Sequence, residues 1–306
     1  MSNSVVVIKK INKNRGNKMI DLHMHTKYSD GTWSVEETLR KAQKIGLNTI
    51  SITDHDSVAA HRELAENDAY KSIFTGKIIP GIEFSTSYDG VAVHMLAYDF
   101  DYTKLEDFLE KRYHQNKPDI DLEFKMMYDN CIKNGVKLDK IEFDINNGWP
   151  VKHIYENLKE HLENKILFNE EEWNDERKFF YSCITNKEFP AYIDFGMHYP
   201  RAEEIRKVVT EAGGKLFLAH LYRYNLKDNK EFLDQLTKNK IIDGIEVYHS
   251  SFTNEQSEKL LKYCTDNNIL MSGGSDCHGD KYIDRQLGIG KGNMKIEDKI
   301  LKGWKI

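Results

Sequence analysis

Short apolar runs alternate with amphipathic stretches of helical length from residue 19 to residue 100. Met19 to His25 reads as a strand. Ser34 is placed to cap a helix over Val35 to Ile45. Glu37, three residues on, completes a capping box, and Gly46 supplies the stop. Thr49 to Thr53 reads as a second strand, ending at Asp54-His55-Asp56, with a helix expected from Ser57 to Ala65. Lys77 to Ser85 and Val91 to Tyr98 read as a third and fourth. Asp89-Gly90 between them is a hairpin turn signal.

The pattern changes near residue 103. Residues 104–186 carry helical periodicity, many charges (Lys111, Arg112, Lys117, Glu123, Lys125, Glu170-Glu171-Glu172) and few strand signals. They read as a helical insertion or cap between two parts of one domain, 19–103 and 187–306. Alternation then resumes: a helix from Ala202 to Ala212 ended by Gly213-Gly214, a strand from Lys215 to Ala219, a helix from Asn229 to Lys238, a strand from Gly244 to Tyr248, a helix from Glu255 to Asn267, and a strand from Ile269 to Asp276. Repeated strand–helix units predict an α/β fold with a parallel sheet, closed or open, and helices outside. Residues 1–18 read as an arm or a short added strand.

Composition narrows the class. The chain has 306 residues, 40% apolar and 30% charged, with a net charge of −5. That fits a soluble globular protein and gives no extended nucleic-acid surface. No apolar run approaches the roughly 18 residues of a membrane span, and the first ten residues lack the build of a secretory signal. Cys131, Cys183, Cys264 and Cys277 are scattered. They predict free thiols in a reducing, cytoplasmic setting.

The candidate chemistry falls where strands end. His23 and His25, two apart on an extended chain, point to one face. His55 ends the second strand, Glu83 lies in the third and His94 in the fourth. His220, Asp276 and His278 end later strands, and Asp30 follows His25 by five residues. In parallel α/β folds such strand ends converge on one face, where sites are built. Any one of these residues alone would most simply be a surface or core residue. His61, His114, His153, His161 and His198 keep that reading, and His249, just past a strand, is intermediate. Nine candidate ligands are too many for one tetrahedral zinc and suit a multinuclear site. Mixed imidazole and carboxylate donors fit zinc, manganese or iron. Cys277 would point away from the site.

Asp21-Leu22-His23-Met24-His25, Thr53-Asp54-His55-Asp56, Gly81-Ile82-Glu83-Phe84-Ser85, Ala219-His220 and Gly274-Ser275-Asp276-Cys277-His278-Gly279 resemble the five motif blocks of the PHP (polymerase and histidinol phosphatase) superfamily. The resemblance implies a distorted (β/α)7 barrel, a centre of two to three divalent metals, and phosphoesterase activity through attack by metal-bound hydroxide. Carried over block by block, it implies one metal on His23, His25, Glu83 and Asp276. A second would share Glu83 and add His94 and His220. A third would take Asp30, His55 and His278.

Within the superfamily, residues 212–220, 244–256 and 273–276 resemble the phosphoesterases that act on nucleoside monophosphates and 3′,5′-bisphosphates. Leu221 departs from that pattern, which usually has proline. The implied reaction is hydrolysis of a small phosphate monoester. Alternatives are histidinol-phosphate hydrolysis, 5′-3′ exonuclease action on short oligonucleotides, and a non-catalytic metal-binding module. Arg223, three residues past His220, is a candidate phosphate grip, and Arg201 is a second. Tyr222, Tyr224 and Tyr248 could stack on a base or pack in the core. Asp56 could orient a ligand or cap the helix after it.

Overall fold

A computed structural model describes residues 18–114, 120–186, 189, 192–194, 199–224 and 226–305. The expected arm at 1–18 and His198 lie outside them, except for Lys18. In chain order the first elements are β1 (Met19–Asp21), α1 (Val35–Ile45), β2 (Leu47–Ile50), α2 (Ala59–Glu66), α3 (Tyr70–Ile73), β3 (Lys77–Ile78), β4 (Gly81–Tyr88) and β5 (Val91–Tyr98). The helical region follows with α4 (Glu106–Leu109), α5 (Ile120–Lys133), α6 (Pro150–Glu160), α7 (Glu170–Asn174) and α8 (Glu176–Phe179). The chain then runs through α9 (Ala202–Glu211), β6 (Lys215–Leu218), α10 (Asn229–Lys238), β7 (Gly244–His249), α11 (Asn254–Asn267) and β8 (Leu270–Gly274).

Local signals set the first units. Both halves of the Ser34–Glu37 capping box form, and Gly46 closes α1 at φ 82°. Asp89 and Gly90 both take positive φ and join β4 to β5 in a two-residue hairpin. The third expected strand is broken at Pro80, which has no N–H for a ladder. Its start, β3, pairs with β2, and its continuation, β4, pairs with β5.

The strands form two sheets, β1-β2-β3 and β4-β5-β6-β7-β8, and the second is mixed rather than parallel. Strands β1, β2 and β3 are parallel, whereas β4, β5 and β6 run antiparallel before β7 and β8 return to parallel. The hairpin causes this: after two antiparallel steps, β6 points the same way as β4. Beyond the regular ladders, the two sheets bond at both seams. Leu22 N–H donates to Gly273 O (3.1 Å) and His25 N–H to Cys277 O (2.8 Å) on one side. Asp56 N–H donates to Glu83 O (2.9 Å) on the other. A Cβ on Gly274 would collide with the His23 backbone, so glycine is what lets β8 lie against the first strand.

Apolar side chains fill both sides of this frame. Ile20, Leu22, Leu96, Tyr98, Phe217 and Trp304, all fully buried, come from strands far apart in sequence and from the chain's last turn. Trp304 Nε1–H donates to Met271 O at 2.9 Å. A second cluster, with Phe84, Ile205 and Leu236, packs β4–β7 against α9 and α10. The helical region has its own cluster, including Phe124, Met127, Ile154, Trp173 and Phe179. All four cysteines are buried and free, with Cys277 packed among Met24 and Trp33. Among the described residues no helix is long and apolar enough to cross a membrane.

Candidate metal centre

Strand ends bring the site together as sharp turns. His220, Asp276 and Asp56 each take positive φ (24°, 56° and 51°), a conformation costly for residues other than glycine. Such strain persists only where surrounding contacts enforce it, and it concentrates at functional sites. Here the contacts are visible. His220 N–H donates to Glu246 Oε2 (2.7 Å), Asp276 N–H to His23 O (2.9 Å) and Asp56 N–H to Glu83 O (2.9 Å).

Glu83 is the focus. Its buried carboxylate lies 3.0 Å from His23 Nε2, 3.1 Å from His25 Nε2, 3.5 Å from His55 Nε2, 2.9 Å from His94 Nδ1 and 2.9 Å from His220 Nε2. Asp276 stands opposite, 3.4 Å from His23 and 3.2 Å from His25. Beyond His25, Asp30 meets His278 Nε2 at 3.1 Å, and the His25 and His278 rings stack with centroids 4.2 Å apart. Four overlapping groups could each hold a cation: His23, His25, Glu83 and Asp276; His55, Glu83 and His94; His25, Asp30, His55 and His278; and His23, Glu246 and His249.

Charge is balanced within the cluster. Burial would raise the Glu83 carboxyl, but His23, His55, His94 and the His220 contact outweigh it and hold it well below the carboxylate range. Asp276 is likewise held low against burial by His23, Arg285, His249 and His25. Burial disfavours charge on His23, yet Glu83, Glu246 and Asp276 keep it well above the imidazole range. His55 goes the other way, to about 3, through burial and the neighbouring His25 and His94.

Among the described residues several buried ring nitrogens make no well-oriented hydrogen bond: Nδ1 of His25, His55 and His220, and His25 Nε2, although carboxylate oxygens of Glu83 and Asp276 stand 3.1 and 3.2 Å from it. Buried polar atoms are rarely left so. Orphaned imidazole nitrogens aimed among ionised carboxylates are the donor set of a divalent transition metal, and the residues present therefore fit one.

The nine candidate ligands, His23, His25, Asp30, His55, Glu83, His94, His220, Asp276 and His278, meet here. Arg223 meets them too: its guanidinium lies 3.1 Å from Asp276 Oδ2. Arg201 does not. It is exposed at the start of α9 and lines a different cavity with Asp89 and Glu203. Tyr224 is a core residue that accepts from His94 N–H and donates to Ala219 O, while Tyr222 packs on Phe252. Asp56 does not cap α2: the N-cap residue is Val58, and the first helical N–H, of Ala59, donates to Ser57 Oγ at 3.3 Å. The Asp56 carboxylate instead accepts from Ser85 N–H at 2.7 Å, and burial lifts its pKa to about 7 despite that bond. His61 bonds the backbone of Ile52 and Gly81, as an ordinary core histidine does.

Four further residues join the site. Glu246 holds His23 Nδ1 at 2.8 Å, His249 Nε2 sits 3.2 Å from Asp276 Oδ2, and Arg285 donates to the same oxygen at 2.6 Å. Asp21 accepts from Ser275 N–H and Oγ, Gly288 N–H and His23 N–H. Glu246 and Asp21 had a signal in the sequence: each is a carboxylate flanked by apolar residues inside a strand. Arg285 had none, because it lies in the irregular C-terminal segment.

A cavity of about 220 Å³ adjoins His94 and Arg223. Its floor is β4–β5 (Ser85, Ala92, Val93) and its roof is the helical region, with Glu123, Trp149, Arg177, Phe180 and Tyr181. Phe180–Ile184 is a π-helical turn, which presents Phe180 and Tyr181 to that cavity.

An α/β frame with imidazoles and carboxylates gathered at strand ends defines a metal-dependent hydrolase. The chain belongs to the PHP domain family, whose model matches residues 21–302, and it is a metal-dependent phosphoesterase of that family. It is 24% identical over 94% of its length to a 5′-3′ exoribonuclease of Haemophilus influenzae, of which 98% is covered. It is 27% identical over 85% of its length to a phosphoribosyl 1,2-cyclic phosphate 1,2-diphosphodiesterase of Eggerthella lenta, of which 94% is covered. A 3′,5′-nucleoside bisphosphate phosphatase of Chromobacterium violaceum is 23% identical, over 88% of this chain and 90% of that protein. The fold is shared with a Bifidobacterium adolescentis protein assigned as a metal-dependent phosphoesterase, at TM-score 0.58 and 24% identity, covering 93% and 94% of the two chains.

Proposed function

We propose that this protein hydrolyses a phosphate monoester of a small nucleotide, a nucleoside 5′-monophosphate or 3′,5′-bisphosphate, at a centre of up to three divalent metals. The observation that carries the reading is Glu83, one buried carboxylate within 3.5 Å of five imidazoles. His23, His25, Glu83 and Asp276 would hold one metal, Glu83, His94 and His220 a second, and Asp30, His55 and His278 a third. Zinc, manganese or iron suits these donors. Such metals supply positive charge against the phosphoryl oxygens and make water acidic enough to attack near neutral pH.

The chain's own groups do the rest. Glu246 fixes the His23 ring and the His220 backbone at once, which sets the direction of both imidazoles. Arg285 and His249 hold Asp276 from the side away from His25. Arg223 faces both Asp276 and the cavity, where its planar fork suits a phosphate. We read residues 104–186 as an inserted cap over 19–103 and 187–306, supported by the roof they give the cavity. We read the two sheets, bonded at both seams, as the distorted seven-stranded barrel of the family, with β3 and β4 as one strand interrupted at Pro80. A cytoplasmic location agrees with the four free thiols.

Relatives named for exoribonuclease and bisphosphate phosphatase activity both point to nucleotides. The test is a phosphate-release screen with defined metals over nucleoside 5′-monophosphates, 3′,5′-bisphosphates, histidinol phosphate, sugar phosphates and short 5′-phosphorylated RNAs. Metal-dependent phosphate release, fastest on a mononucleotide, is expected. Fastest turnover of histidinol phosphate would overturn the nucleotide reading. Release of mononucleotides from RNA without free phosphate would replace it with the exonuclease.

A further inference from the structure

Glu123, in the first turn of α5, is 6% exposed and lines the cavity beside His94 and Arg223. Its carboxyl has no hydrogen bond or ion pair among the described residues. Burial alone acts on it, pushing its pKa up to about 7. An unpaired buried carboxyl is costly to keep. The other deeply buried carboxylates are all served: Asp21 by Ser275 and Gly288, Glu83 by imidazoles, Asp276 by two arginines. Glu176, the second carboxylate on the roof, is half-buried and has the charges of Lys152 and Arg177 beside it. Among the described residues no donor reaches Glu123, and it faces the space next to the candidate centre.

Resting on the nucleotide reading above, we propose that Glu123 is a specificity-determining residue that reads the N–H edge of the substrate's base, and that guanine nucleotides are preferred. An ionised carboxylate has two acceptor oxygens and no donor. Guanine presents two adjacent donors, N1–H and the 2-amino group. Adenine and cytosine set a ring-nitrogen acceptor beside their one amino group, and uracil flanks its N–H with carbonyl oxygens. Donors arriving at Glu123 would favour its charged form, so ligand binding and ionisation reinforce each other.

The rest of the cavity agrees. A whole small ligand usually fills a site of about 300–1,000 Å³. The 220 Å³ found here is small for a whole nucleotide and suits the base, with the phosphate at the part of its wall formed by His94 and Arg223. Trp149 offers an indole on the same roof, 61% exposed before any ligand covers it.

The experiment compares guanosine and inosine 3′,5′-bisphosphates, which differ only in the 2-amino group, using the manganese-loaded protein and its Glu123→Gln and Glu123→Asp variants. Binding of the unphosphorylated nucleosides to metal-free protein is measured in parallel. A lost bidentate contact predicts a guanosine preference in kcat/KM of about tenfold or more, falling below about threefold in Glu123→Gln. Glu123→Asp, which keeps the carboxylate, is expected to retain part of it. The nucleoside affinities should follow the same order, and thermal unfolding shows that each variant is folded. An equal loss on both substrates with the preference unchanged overturns the proposal. So does a wild-type protein indifferent to the base. These outcomes leave the phosphoesterase reading standing. That reading falls separately, if no nucleotide yields phosphate with any metal.

Discussion

Glu83 and Glu123 are both buried glutamates, and their surroundings are opposite. Glu83 lies on a strand among five imidazoles that hold it ionised. Glu123 lies on a helix of the roof with nothing to offset burial, which drives it toward neutrality. A carboxylate already met by partners can anchor cations in place. One left without partners is a cost to folding that only a ligand recovers. The strand ends thus look built for chemistry, and the roof for recognition.

The comparison is most easily broken at Glu83. Glu83→Ala removes the group shared by two proposed metal subsites. Phosphate release should fall by at least about 10²–10³-fold, with metal content reduced in the purified protein. Retained metal and activity would dismantle the proposed centre. Next is Arg223→Ala, for which we expect kcat/KM to drop about tenfold to a hundredfold while metal content holds, because Arg285 still serves Asp276. Loss of metal would mean that Arg223 supports the ligands rather than the substrate.

Glu123→Gln tests the other side through stability. The native pKa of about 7 exceeds the ordinary 4.5, so between those values the folded state binds more protons and stability falls as pH rises. Below pH 4.5 the carboxyl is protonated in both states and costs nothing. Above pH 7 the full penalty applies. Urea unfolding at pH 8 should therefore show Glu123→Gln more stable than wild type by up to about 3 kcal/mol, with the gain vanishing near pH 4.5. A gain independent of pH would mean that Glu123 is not the titrating group. The smallest effect is expected for Trp149→Ala. This exposed side chain should change stability by less than about 0.5 kcal/mol, yet raise KM for nucleotides a few-fold. An unchanged KM would remove it from the recognition surface.

How much of this was legible depended on whether a residue's role was local. The Ser34–Glu37 box, the Gly46 stop and the Asp89-Gly90 hairpin each act within a few residues, and each formed as read. His23 and His25 were legible because alternation along an extended chain needs no tertiary knowledge. Asp56 could have capped a helix or met the site. Its carboxylate instead accepts from Ser85 N–H, 29 residues on, a partner that neither reading named. His249 stood undecided just past a strand until its contact with Asp276 placed it at the site; Glu246 carried a strand signal but no hint of its partner His23, and Arg285, on an irregular tail, carried none.

The sequence by itself determined the units: which stretches extend, which coil, where they stop, and which donor groups stand at their ends. Those outcomes follow from local backbone sterics, capping and the two-residue repeat of a strand. Tertiary structure alone decided that β4, β5 and β6 run antiparallel, that Glu83 faces five imidazoles, and that the helical region roofs a cavity with an unmet carboxylate. Those outcomes depend on packing and on hydrogen bonds between segments far apart in the chain, whose energies are settled only when the whole fold closes.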